Sequence, residues 1–150
     1  MSEYLRSSGA EARIEEFPSG TPTAVDAAEA VGCTLREIVK SLVFECDGRP
    51  VLAMVPGDRR VDARKVATAA QAGEARIAAA QRVEELTGFE PGAVAPFPLP
   101  QVERAFLDRT LLTAQRLWIG AGSPRHLAGL APAELLRLTR ATPLDIASDD

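Results

Sequence analysis

Two apolar runs joined by Asp47-Gly48 constrain this chain more than anything else in it. The first lies within "REIVKSLVFEC" and carries Ile38, Val39, Leu42, Val43 and Phe44; the second is "PVLAMVP", ending at Pro56-Gly57. Asp-Gly between such runs is a hairpin signal, because both residues tolerate the positive φ of a tight turn. A strand over Val39–Cys46 and a returning strand to Pro56 are therefore predicted, and the rest of the fold has to be built around that ribbon.

Lys40 stands inside the first run. The chain has 17 basic residues, and only Lys40 and Lys65 are lysines. Lysine carries a compact point charge whose pKa moves on desolvation, whereas arginine is a planar fork that stays charged. In a chain that otherwise uses arginine, a lysine among strand residues has two readings. It is a strand residue with its head in water, or a cation needed as an ammonium.

The remaining pattern alternates irregularly between helix and strand. Residues 3 to 10 are predicted as a short helix and "ARIEEF" as a first strand ending at Pro18. Thr23 to Asp26 fits a capping box for a helix over 24–31, with Gly32 as its stop. Thr34 to Glu37 is a second box, opening a short helical turn before the strand. Asp62 caps a helix over "ARKVATAAQA", which is expected to run to Gly73. "ARIAAA" reads as a strand, and "AQRVEELTG" as a helix closed by Gly88. A loop rich in Gly and Pro covers residues 88 to 100. "RAFLD" and "RLWIGAG" read as strands with a turn of helix around Leu111 between them. "HLAGL" follows a Ser123-Pro124 turn as another strand. Pro132 suits the first position of a helix over "PAELLRLTR", and "LDIA" is predicted as a last short strand. This order gives an α+β fold on a curved, mixed sheet, in one domain spanning residues 1–150.

Composition narrows function by exclusion. A net charge of −4 does not suit a broad, sequence-independent grip on nucleic acid, although one small contact with an RNA end remains open. DNA binding is disfavoured for the same reason. No apolar run approaches the ~20 residues of a membrane span. The N-terminus lacks the basic and apolar regions of a secretory signal, so a cytoplasmic protein is expected. Cys33 and Cys46 lack C-x-x-C spacing, and two cysteines with one histidine do not make a structural metal site. Neither a metal nor another cofactor is expected.

Four features could carry chemistry. Lys40 is the first. The second is Gly92-Ala93-Val94-Ala95-Pro96, which is either a rigid connector or a loop whose N–H groups approach a ligand. The third is Gly120-Ala121-Gly122-Ser123, which is either a tight turn or a strand end that offers N–H groups to an anion. His126 is the fourth and reads as an ordinary strand entry, since no Ser-His-Asp grouping accompanies it. Arg59-Arg60, beside Asp58 and Asp62, is either a solvated cluster or a phosphate contact. P-loop, G-x-S-x-G and H-E-x-x-H motifs do not occur.

The order of these pieces is more specific than any one of them. "TPTAVDAAEAVG…REIVKSLVF", "LTGFEPGAVAP" and "RLWIGAGSPRHLAGLAPAELLRLTRA" together resemble the YbaK/prolyl-tRNA synthetase-associated domain family, from about Ile14 to Ile146. The resemblance implies a partly rolled mixed sheet surrounded by helices. It also implies a trans-editing activity that hydrolyses the ester of a mischarged aminoacyl-tRNA and serves translation fidelity. Lys40 then matches the family's lysine and becomes the catalytic candidate. Ser41, Gly92, Ala93, Val94, Ala95, Pro96, Gly120, Ala121 and Gly122 fall on its substrate-binding positions. The partner implied is the 3′ end of a mischarged tRNA, with a synthetase or elongation factor to add grip. The chain departs from the pattern at four places, one of them near Pro98, where members usually have a glycine. Ala93 stands where members often have a second glycine. Gly120-Ala121-Gly122 stands where members acting on cysteinyl-tRNA tend to have Ser-Gly-Gly. Ser41 replaces the asparagine of alanine-specific members. The resemblance therefore carries the reaction class and not the amino acid removed. The competing reading is a non-catalytic module that binds aminoacylated RNA, a nucleotide or a synthetase.

Overall fold

The hairpin forms at Asp47 and Gly48, whose φ values of 51° and 82° are those a primed turn requires. The structure, a computed structural model, describes residues 12–17, 20, 23–89, 94–97, 99–121 and 125–149. The strand expected at Val39–Cys46 (β2) pairs antiparallel with Arg49–Pro56 (β3), in a register that sets Lys40 opposite Val55 and Ser41 opposite Met54. The helix expected at residues 3 to 10 lies outside the described residues.

Two sheets grow from this ribbon. Ala75–Ile77 (β4) adds antiparallel to the far end of β2, and Arg104–Asp108 (β5) adds parallel to β3. Thr142–Leu144 (β8) extends the sheet parallel to β5, giving the order β4-β2-β3-β5-β8. The second sheet is antiparallel: Ala12–Glu16 (β1), His126–Leu130 (β7) and Leu117–Gly120 (β6), in the order β1-β7-β6. A parallel bridge from Ile38 to Trp118 joins the entry of β2 to β6, so the sheets curve towards each other. The mixed α+β architecture expected from the sequence is the one present.

Helices cover what the sheets expose. Ala24–Val31 (α1) is capped by the Thr23 hydroxyl, which accepts the N–H of Asp26 at 3.1 Å, and it stops at Gly32 with φ 74°. Ala27 and Ala28 of α1 pack with Ile38, Trp118 and Leu127. Ala63–Ala69 (α2) starts at Asp62, whose carboxylate accepts the N–H groups of Arg64 and Lys65. This helix ends earlier than expected, because Gln71 turns left-handed at φ 56°. Val66 of α2 closes a core over Phe44, Val51, Ala53 and Phe106. Ala80–Thr87 (α3) and Pro132–Thr139 (α4) send Val83, Leu86, Leu135 and Leu138 into the main core, with Leu52, Met54, Leu107, Leu117 and Ile119. Each such side chain contributes roughly 1.5–3 kcal/mol by leaving water.

The last strand begins two residues before "LDIA". Beyond β8, Ile146 and Ala147 turn back across the sheet end, and Ala147 bridges Val61. Asp108, only 1% exposed, anchors this return. One carboxylate oxygen accepts the N–H groups of Ile146 and Ala147, both at 3.1 Å, and the other accepts the N–H and hydroxyl of Thr110. Burial pushes the Asp108 carboxyl up. The Thr110 hydroxyl and the three backbone donors outweigh it and hold the group below the ordinary carboxylate range. Among the described residues, no helix is long and apolar enough to cross a membrane.

Candidate functional site

A 3-10 turn, Leu35–Glu37, delivers the chain into β2. Its capping box is formed: the Thr34 N–H donates to the Glu37 carboxylate at 3.1 Å. The other end of the ribbon is tied to the same place, since the Gly57 N–H donates to the carbonyls of Ile38 at 2.7 Å and Leu35 at 3.1 Å. A Cβ at Gly57 would sit 2.6 Å from the Leu35 oxygen, so only glycine allows this approach. Lys40 is thereby fixed one residue inside β2, beside the turn that runs from Gly57 to Arg60.

Strand geometry sends Lys40 and Ser41 to opposite faces. Val39 and Val43 point into the main core, and Ser41 shares their face. Lys40 shares the face of Leu42, Phe44 and Cys46. The Lys40 side chain is partly buried, and among the described residues its ammonium has no hydrogen bond or ion pair. Burial pushes its pKa down, the Arg60 guanidinium pushes it further, and Asp58 offsets part of the effect. The Ser41 hydroxyl is sealed from solvent and also lacks a partner.

The second lysine is fully engaged. Lys65 donates to Asp145 at 3.1 Å, to the Ala147 carbonyl at 2.8 Å and to Asp149 at 3.2 Å. The hydrogen bond with Asp145 leads the effects that push its pKa up. Of the two lysines the composition singled out, one latches the C-terminal segment and the other is left available.

The other expected site residues divide. Gly92, Ala93 and Gly122, with the Ser123-Pro124 turn, lie outside the described residues. Val94, Ala95 and Pro96 are buried. Val94 belongs to the main core beside Phe97, and Pro96 lines a cleft of about 270 Å³ with Leu52 and Arg104. Gly120 ends β6 opposite Leu127. The Ala121 N–H donates to the His126 carbonyl at 3.2 Å, so it extends the strand pair and is not offered to a ligand. The His126 ring, at the partly exposed start of β7, lies 3.3 Å from the Glu16 carboxylate of the neighbouring β1.

Two features escaped the sequence reading. The Asp108 carboxylate could have been found only as an N-cap, because "LDRT" shows no sign of burial. The second is a cleft of about 350 Å³ beside the Gly57 turn, lined by Thr34, Arg36, Asp58, Arg59, Thr110 and Gln115 among others. Burial raises both thiols, Cys33 and Cys46, which keeps them protonated and poorly nucleophilic. Among the described residues no three His, Cys, Asp or Glu side chains are grouped as metal ligands would be.

The two sheets covered by helices define an α+β domain, and at the entry of its central strand stands an ammonium with no hydrogen bond or ion pair among the described residues. Residues 18–138 match the aminoacyl-tRNA editing domain, and the chain belongs to that family. It is 34% identical over 123 residues to the uncharacterised protein YwhH of Bacillus subtilis (strain 168), covering 81% of this chain and 78% of that one. It is 35% identical over 111 residues to the proline–tRNA ligase of Maridesulfovibrio salexigens, covering 73% of this chain but 19% of the ligase. The structure of a candidate trans-editing enzyme for prolyl-tRNA synthetase superposes with a TM-score of 0.91 at 36% identity, over 98% of this chain and 94% of that one.

Proposed function

We propose that this chain hydrolyses the ester of mischarged aminoacyl-tRNA in trans, in the cytoplasm, releasing a small amino acid. The observation that carries the reading is the Lys40 ammonium, partly buried at the entry of β2 and without a hydrogen bond or ion pair among the described residues, in a chain of the editing-domain family. An aminoacyl ester is already activated, so the protein has little chemistry to supply. Water adds to the ester carbonyl, negative charge develops on that oxygen, and the intermediate collapses with the ribose oxygen leaving and taking up a proton. The products are the free amino acid and the uncharged tRNA. A fixed ammonium next to the developing charge, or on the adjacent phosphate, stabilises the transition state without having to reorganise. The roles of Ser41, Gly92 to Pro96 and Gly120 to Gly122 as substrate-binding positions belong to the same proposal.

The preference for a small amino acid follows from Ala93, Ala121 and the neighbouring glycines. A methylene is worth only about 1–3 kcal/mol in such a pocket, so Ala, Ser, Cys and Thr should overlap as substrates. The test is a panel of mischarged tRNAs, each incubated with substoichiometric protein. Turnover of the small amino acids is expected. Preferential release of a bulky aromatic amino acid would reject the size argument, and binding without turnover across the panel would favour the non-catalytic module.

A further inference from the structure

Arg59 and Arg60 are neighbours in sequence and differ in environment. The Arg59 guanidinium donates to the Ser148 carbonyl at 3.1 Å, and its Nε is sealed in without a partner. That side chain ties the C-terminal segment to the body of the fold. Arg60 is exposed, and among the described residues its guanidinium makes no hydrogen bond or ion pair. Its backbone, by contrast, is fixed: the Arg60 carbonyl accepts the Ser148 N–H at 2.7 Å, and Asp62 and Lys65 hold the same segment through Ile146, Ala147 and Asp145. A rigid backbone thus presents a free guanidinium just past the turn that packs on the start of β2.

The charge count there is uneven. Lys40 pairs opposite Val55, and the turn leading to Arg60 is tied to the entry of β2 by the Gly57 N–H on the Ile38 carbonyl at 2.7 Å. Arg60 and Asp58 therefore leave the ribbon at the end where Lys40 stands. After burial, Arg60 pushes the Lys40 pKa down and Asp58 offsets part of it. Two cations sharing one exposed carboxylate repel each other, and the arrangement is relieved by an anion that touches both. A guanidinium suits a phosphodiester in particular, because its planar fork matches two phosphate oxygens. We infer that Arg60 is a positioning residue that binds a backbone phosphate at the 3′ end of the RNA and so places the ester beside Lys40. The inference rests on the editing reading for the identity of the substrate, and on the geometry of the 57–60 turn for the residue.

The test compares wild type with Arg60→Gln in deacylation of aminoacyl-tRNA, with the melting temperature as a folding control. One lost phosphate contact should raise KM about tenfold, with kcat within about twofold. The slope of log affinity against log salt, read by fluorescence anisotropy on an uncharged RNA hairpin ending in CCA, should become shallower by roughly 0.7–0.9. With an aminoacyl-adenosine nucleoside ester, which has no phosphate, the two proteins should behave alike. An unchanged KM and salt slope would overturn the assignment, and so would an equal loss on the nucleoside ester. If wild type hydrolyses nothing, the RNA-binding arm still decides. An Arg60-dependent salt slope upholds the phosphate site while the hydrolytic reading fails, and an Arg60-independent slope overturns the site as well.

Discussion

The Ser41 hydroxyl and the Asp108 carboxylate are both sealed from water, and they stand at opposite ends of hydrogen-bond satisfaction. The Ser41 hydroxyl has no partner, and a buried unsatisfied hydroxyl is destabilising by about 1–3 kcal/mol. Ser41→Ala should therefore leave the melting temperature unchanged or raise it, while KM for aminoacyl-tRNA rises if the hydroxyl serves the substrate. A clear fall in melting temperature would mean that the hydroxyl supports the fold. Asp108 is the reverse case, with four donors on its two oxygens. Asp108→Asn turns one acceptor into a donor that faces N–H groups, and should cost about 2–3 kcal/mol. Because the folded-state pKa of Asp108 is depressed, its contribution is fully present above the unfolded value of about 3.9 and fades as pH falls through the lower folded value. Urea midpoints at neutral pH and at a pH well below about 3.9 measure this. The gap between wild type and Asp108→Asn should narrow on acidification, and a constant gap would refute the account.

At the scale of elements, local patterns were legible and long-range partners were not. The β2–β3 hairpin, the Thr34 capping box and Pro132 at the start of α4 depend on residues within a few positions of each other, and all formed as read. The parallel pairing of β3 with β5, and the return of Ile146 and Ala147 onto Asp108, depend on contacts tens of residues apart that leave no local signature. The final strand was misplaced for this reason, because "LDIA" owes its extended shape partly to that return. The period-2 rule applied to β2 already separates Lys40 from Ser41, so part of the site was more legible than the motif alone suggested. Gly57 joins these elements at the entry of β2. Gly57→Ala would force a Cβ against the Leu35 carbonyl at 2.6 Å and should destabilise by about 1–3 kcal/mol. Trp118 is 7% exposed, is the chain's one tryptophan and bridges Ile38, so its fluorescence reports on this junction during unfolding. An alanine variant as stable as wild type would show that the close approach is not needed.

Across the whole molecule, an acidic chain of net charge −4 sets its C-terminal segment, the 57–60 turn and the β2–β3 ribbon near Lys40, whose ammonium has no hydrogen bond or ion pair among the described residues. The chain belongs to the editing-domain family, and the proposed hydrolysis depends on the catalytic role of Lys40. Lys40→Ala should keep the circular dichroism spectrum and melting temperature near wild type, because among the described residues the ammonium makes no hydrogen bond or ion pair that the fold would miss. Loss of a positioned charged donor should lower the rate by a factor on the order of a hundred to a thousand, about 2.7–4 kcal/mol of barrier. Lys40→Arg keeps the charge on a longer planar fork and should recover little of it. The decisive measurement is single-turnover deacylation of a small-amino-acid mischarged tRNA by wild type and the two folded variants. The account predicts a collapse in Lys40→Ala with slight rescue in Lys40→Arg, and near-wild-type rates in folded Lys40→Ala would contradict it.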